Sequence, residues 1–252
     1  FVAKAKGNKK LIIVCVLAYF VFLMAMFPLN VIYKLLDPKG LPVEVLSVSG
    51  TLWDGDVTVK HRATGQLDAN WTLPVGSLLI GQLAPSIELK GQAVEAQLDA
   101  SLNLLTMDLA VENGKGFLQS SLVNQFIKAN RAQIQGDFEL SNLNLQLNLK
   151  DKKASEVNGR LVWTGGQVKY PKGRKQKTTS MPMLVADLKL ANDEVQAVVN
   201  TTEGQSVASA NIKQDGWAGV AVKKRLIDLV GEPWPNKASA DTTVFEVSEK
   251  IF

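Results

Sequence analysis

The chain has 252 residues, 46% hydrophobic and 21% charged, a composition that excludes a disordered polyelectrolyte and leaves room for a sizeable folded body. The formal charge of +4 is carried by Lys4, Lys6, Lys9 and Lys10, which precede an apolar run; the remainder is neutral, so the basic balance does not point to nucleic acid as a partner. A single cysteine, Cys15, lies inside that run, and His61 is the only histidine, which excludes a disulfide framework and a two-histidine zinc site.

Residues 1–10 form a basic stub. Leu11 to Phe27 then runs for 17 residues without a charge; as a helix it covers about 26 Å of a hydrocarbon core about 30 Å thick. Leu11, Val14, Leu17, Phe20, Leu23 and Phe27 are the residues expected to span. A cleavable signal has a shorter apolar core that ends at small residues, whereas Phe27-Pro28 closes this one, so the segment reads as an uncleaved anchor. The four lysines ahead of it place the N-terminus in the cytoplasm and the bulk of the chain across the membrane. The helix and its interface occupy 11–36, a turn-rich linker 37–44, and the β-rich domain 45–252.

Beyond the linker the dominant period is two. "AVEAQLDASLNL" sets Val94, Ala96, Leu98, Ala100, Leu102 and Leu104 on one face, and "NLNLQLNL" does the same with Leu143, Leu145, Leu147 and Leu149. Such alternation predicts antiparallel strands with one apolar and one wet face. Further strands are expected near 43–48, 56–61, 66–71, 86–90, 107–111, 132–140, 156–163, 167–170, 184–190, 194–200, 207–213 and 243–247. Asn113-Gly114, Asn192-Asp193 and Asp215-Gly216 are read as hairpin turns between them. Two helices are expected: "SSLVNQFIKANR" behind a serine cap, and "AVKKRLIDLVGE" ending at Gly231. The fold class is therefore mainly β: a curved antiparallel sheet or a sandwich-like domain with two short helices.

Two stretches resemble each other. Gly50-x-Leu52-Trp53-x-Gly55 and Gly159-x-Leu161-x-Trp163-x-Gly165 each combine a strand end, a tryptophan and a glycine, followed by Val57 or Val168. They suggest two loosely repeated halves, with Gly50, Trp53, Gly55, Gly159 and Trp163 as structurally decisive residues.

Catalytic chemistry finds no support. There is no H-E-x-x-H, P-loop or nucleophile motif, so no catalytic, metal-binding or cofactor-binding residue is assigned and no cofactor is expected. Lys172, Arg174 and Lys175 in "YPKGRKQKTT" read as a solvated loop able to meet anionic head groups or an acidic partner. Trp234, between two prolines, reads as a surface contact.

A basic stub, one apolar segment, "VSGTLWDG" (Val48 to Gly55), a β-rich remainder and a C-terminal Pro-Trp-Pro together resemble the N protein family of the bacterial type II secretion system. That resemblance implies a non-enzymatic accessory protein of the inner membrane with a periplasmic domain, working beside the other inner-membrane components, the C protein among them. The apolar rows also resemble those of AsmA-like and lipopolysaccharide-bridge proteins, which would make the Leu143–Leu149 row a groove for lipid.

Overall fold

Period-two patterning yields a long antiparallel meander. The computed structural model describes residues 43–62, 64–234 and 237–250, with 14–16, 19, 26 and 28–36 on the N-terminal side. In chain order, α1 (Leu29–Leu36) precedes β1 (Glu44–Gly50), β2 (Asp54–His61), β3 (Gly65–Thr72), α2 (Val75–Leu79), β4 (Gln82–Leu83), β5 (Ser86–Gly91), β6 (Val94–Asn103) and β7 (Asp108–Leu118). Next come α3 (Ser120–Ile127), a 3-10 turn (Lys128–Asn130), β8 (Gln133–Ile134), β9 (Phe138–Asn148), β10 (Lys153–Trp163), β11 (Gly166–Lys172) and β12 (Lys175–Met181). β13 (Leu184–Ala191), β14 (Glu194–Thr201), β15 (Ser206–Lys213), β16 (Trp217–Lys223), α4 (Lys224–Val230) and β17 (Thr243–Lys250) complete the chain.

Fourteen of these strands form one open sheet in the order β1-β2-β3-β5-β6-β7-β9-β10-β13-β14-β15-β16-β17, with β4 paired to β6 off that path. A second sheet, β12-β11-β8, has three strands. Among the described residues the sandwich-like alternative is therefore met where the small sheet faces the long one.

Register gives the long sheet its chemistry. Directly paired residues trace one line from edge to edge: Val48, Val57, Ala69, Leu89, Ala96, Gly116, Leu140, Leu161, Ala186, Val199, Ala208, Val222 and Phe245. At about 4.8 Å per strand, this apolar line is about 58 Å long. One position away, Arg160, Asp187, Val198, Ser209, Ala221 and Glu246 make a largely polar line facing the other way. The apolar line is half-buried along its length until Phe245, which is 58% exposed.

Two bulges hold this line together. Asn113 in β7 and Asn142 in β9 both have φ of 53°, and each adds one residue to its strand. Because the additions lie on neighbouring strands they cancel, so Leu109 opposite Leu147 and Gly116 opposite Leu140 belong to the same register. An extra residue reverses the parity of everything after it. For that reason Leu140 shares the apolar face with Leu143, Leu145 and Leu147. The expected hairpin at Asn113-Gly114 is corrected accordingly: both residues lie inside β7, where Asn113 supplies the positive φ and its backbone N–H donates to Asn144 Oδ1 at 3.2 Å. A Cβ on Gly114 would fall 2.8 Å from Leu143 Cβ. Asn192 and Asp193, both at positive φ, do form the turn between β13 and β14, and Gly216 (φ 85°) the one between β15 and β16.

Both expected helices are present with altered starts. Gln119, not a serine, precedes α3, and the Ser120 N–H is received by Asp137 Oδ1 at 2.9 Å. The stretch read as the beginning of the second helix is the end of β16, so α4 starts only at Lys224. Among the described residues no helix is long and apolar enough to cross a membrane. Val14 sits in a helical segment and is largely exposed. Leu11, Leu17, Phe20, Leu23 and Phe27 lie outside the described residues.

Leu161 stands in the middle of the apolar line, whereas its neighbour Arg160 is exposed on the opposite face. Leu161→Ala is expected to cost about 2 kcal/mol, the low end for a leucine truncation because the site is half-covered, and Arg160→Ala less than about 0.5 kcal/mol. Urea unfolding of the two variants measures the difference.

Candidate functional site

The entry hairpin β1–β2 explains the glycines of "GTLWDG". Gly50 (φ 80°) pairs with Gly55 across the turn, and a Cβ at Gly50 would meet the Asp54 carbonyl at 2.3 Å. Thr51 Oγ1 receives the Trp53 and Asp54 N–H groups at 3.3 and 3.2 Å. Gly55 is buried because the Trp71 ring and Leu29 of α1 both close over it; a Cβ there would lie 2.5 Å from each. Trp71, which the sequence reading did not single out, anchors its indole N–H on the Leu52 carbonyl at 3.0 Å. Trp53 is half-buried beside this turn.

The second tryptophan motif has a different setting. Gly159 lies within β10, not at a turn, and lets Leu143 and Leu188 approach over it. Trp163 ends β10 and donates to the Gln135 carbonyl at 2.9 Å, with Phe138 stacked at a centroid distance of 6.4 Å. Gly165 (φ 78°) then turns the chain out of the long sheet into β11. β1 and β2 are partners in one sheet, whereas β10 and β11 belong to two, so the motifs do not build equivalent halves.

The basic stretch expected as a loop is mostly strand. β11 and β12 pair through Lys172 and Lys175, with Gly173 and Arg174 as the turn. Side chains two apart share a face, so Val168, Tyr170 and Lys172 of β11 look the same way as Thr179, Lys177 and Lys175 of β12. That face meets the end of α4. Gly231 (φ 70°) stops the helix, its N–H bonding the Asp228 carbonyl while the Glu232 N–H bonds that of Ile227 at 3.1 Å. This terminator aims Glu232 at the hairpin.

Glu232 is held by three donors. Lys172 Nζ lies 2.5 Å from Oε2, and Lys177 Nζ and the Tyr170 hydroxyl each lie 2.8 Å from Oε1. Lys177 also donates to the Gly231 carbonyl at 3.2 Å, and Thr179 Oγ1 to that of Val230 at 3.1 Å, so a cation and a hydroxyl satisfy the helix C-terminus. The hydrogen bonds from Lys172, Lys177 and Tyr170 push the Glu232 carboxyl down to about 2. Burial first, then the bond to Glu232, raises the Tyr170 hydroxyl to about 12. Lys172 is thus committed to an internal clasp, while Arg174 and Lys175 stay exposed at the hairpin tip. Trp234 follows the clasp directly and is half-buried; Pro235 lies outside the described residues. Sequence reading missed Glu232 because its partners are 55 to 62 positions away.

The clasp holds the small sheet over the apolar line. Between the sheets opens a cavity of about 330 Å³, bounded by Ile134 and Val168 of the small sheet and, on the long sheet, by Phe138, Leu161, Trp163, Leu184, Ala186 and Val199. Among the described residues no group of acidic, histidine or cysteine side chains is arranged to hold a metal.

These features define an open β-meander protein whose long sheet, among the described residues, ends at β1 and β17, and comparison places it among accessory components of the type II secretion system. A family model described as "Type II secretion system (T2SS), protein N" matches residues 42–226, and the chain belongs to that family. It is 27% identical over 183 residues to the type II secretion system protein N of Vibrio cholerae serotype O1, covering 70% of this chain and 68% of the relative. No solved structure matches.

The clasp makes an acid-sensitive contribution. A carboxylate held low in the fold stabilises it above the ordinary value of 4.5 and loses that contribution as pH falls from there towards about 2. Wild type is therefore expected to melt above Glu232→Gln near neutral pH, with the gap closing through that window in thermal scans. At the entry hairpin, Gly50→Ala is expected to cost about 1–3 kcal/mol by chemical denaturation, through positive φ and the clash with Asp54.

Proposed function

We propose that the chain is a single-pass inner-membrane protein whose periplasmic sheet serves as a non-catalytic scaffold for the other inner-membrane secretion components, helping export folded proteins across the outer membrane. The observation that carries the reading is the seating of α1, which continues the apolar run. Pro28 bridges to Thr51, and Leu29 lies over Gly55 against Trp71. A tether joined to this end of the sheet keeps the β1 edge near the bilayer and directs the β17 edge away from it.

Tethering raises the effective concentration of weak contacts, and an edge strand offers unpaired N–H and C=O groups to a partner strand. β17 suits that role. Among the described strands it borders β16 alone, exposes Phe245 and Val247 on one face, and carries Glu246 and Ser248 on the other. The C protein, which shares the one-span layout, is the named contact. A photo-crosslinking residue at Ser248 is expected to capture another inner-membrane secretion component in secreting cells, whereas one at Asp151, in the β9–β10 turn, captures none. Full secretion with no β17 crosslink to any such component would sink the reading, as would resistance of the sheet to protease added outside spheroplasts.

A further inference from the structure

The cavity under the small sheet is walled by carbon. Its one nearby indole N–H, on Trp163, is turned away to the Gln135 carbonyl. At about 330 Å³ it falls at the lower end of ligand pockets, which span about 300–1,000 Å³. It is also open along the sheet: the apolar line continues from Leu161 to Leu140 on one side and from Val199 to Ala208 on the other. A flexible hydrocarbon longer than the pocket thus meets further apolar side chains.

Polar groups stand outside the pocket, on the same face of the hairpin. From Val168, which lines the cavity, to Lys172 is four residues, about 13 Å of strand. Over that distance the face passes from hydrocarbon, past the part covered by the Tyr170–Glu232 clasp, to cations at the hairpin tip. Glu232 engages Lys172 and Lys177, which leaves positive charge in excess at Lys175, at Arg174 in the turn and at Arg131, whose guanidinium donates to the Arg174 carbonyl at 3.3 Å. Carbon at the base and positive charge at the tip is the complement of an anionic amphiphile. A protein strand seated in the pocket would find no polar side chain to bond there, although interfaces carry about one hydrogen bond per 100–200 Å².

We propose that this pocket binds an acyl chain of an anionic phospholipid whose head group rests on Arg131, Arg174 and Lys175. The site goes beyond the scaffold reading and stands independently of it.

Trp163 lines the pocket and supplies the probe. The full-length protein in mild detergent is titrated with phosphatidylglycerol bearing brominated acyl chains, and tryptophan quenching is followed. Saturable quenching is expected, and Trp163→Phe should remove most of it. Ala186→Phe fills the pocket; displacing two methylenes corresponds to about a fifteenfold loss of affinity. Val168→Asp, on the opposite wall, is expected to weaken binding in the same direction should the first variant fold poorly by circular dichroism. Arg174→Glu with Lys175→Glu should weaken brominated phosphatidylglycerol but not brominated phosphatidylcholine. The proposal is overturned by absence of quenching in wild type, by equal quenching in well-folded Ala186→Phe, or by a lipid-independent self-association that Ala186→Phe abolishes, which would assign the pocket to a second copy. None of these outcomes touches the β17 crosslink, so the two readings fail separately.

Discussion

Hydrogen-bond register across thirteen successive strands keeps one residue of each on a common apolar line, and a slip of one position in any ladder would turn everything beyond it to the wrong face. Most sheets are protected from such slips by a packed second layer. Here the small sheet covers part of the long one, and few side chains among the described residues are deeply buried, with Val207, Val157 and Leu122 in that group. Register must therefore be written locally. Asn113 and Asn142 show how: each bulge asparagine takes the positive φ its strand needs, and the one in β7 is tied to its neighbours through Asn144 and Asp99. Asp99 in turn is held below the usual carboxylate range by hydrogen bonds from Ser86 and Asn113.

The small sheet reaches its place by a different device. It is not continuous with the long sheet, and its position depends on contacts from segments far apart in the chain. At one side Asn124 of α3 exchanges two 2.8 Å hydrogen bonds with the backbone of Ile134. On the other, the terminator of α4 delivers Glu232 to Lys172, Lys177 and Tyr170. The two ion pairs are short and share one carboxylate, which also accepts from the Tyr170 hydroxyl, while Lys172 stays largely in solvent.

Strands such as β6, β9 and β13 were legible because alternation with leucine and valine has no other reading at that length. The mainly β class and the family resemblance followed from them and from the glycines around Trp53. Three features were hidden for physical reasons. An Asn-Gly pair meets the same demand for positive φ in a bulge as in a hairpin, so Asn113 alone could not decide between them. β12, "KQKTTSM", buries only one face and opens with lysines, which disguises a strand as a loop. The clasp joins residues more than fifty positions apart, beyond any local pattern. The likeness of the two tryptophan motifs was real as sequence but not as structure, since one closes a hairpin and the other carries the chain between sheets.

Along the main path of the long sheet every strand lies beside its predecessor on that path, the wide detours being α3 with β8 and the hairpin inserted between β10 and β13. Assembly can consequently run in the direction of synthesis: the β1–β2 ladder is complete once residue 61 is available, and each later strand adds to a finished edge without waiting for the C-terminus. The hairpin's clamp closes late, when Glu232 arrives 60 residues behind Lys172, and β17 follows it onto the β16 edge. A nascent chain of this design is half-built long before its final strand exists, and its growing rim is always a single strand wide.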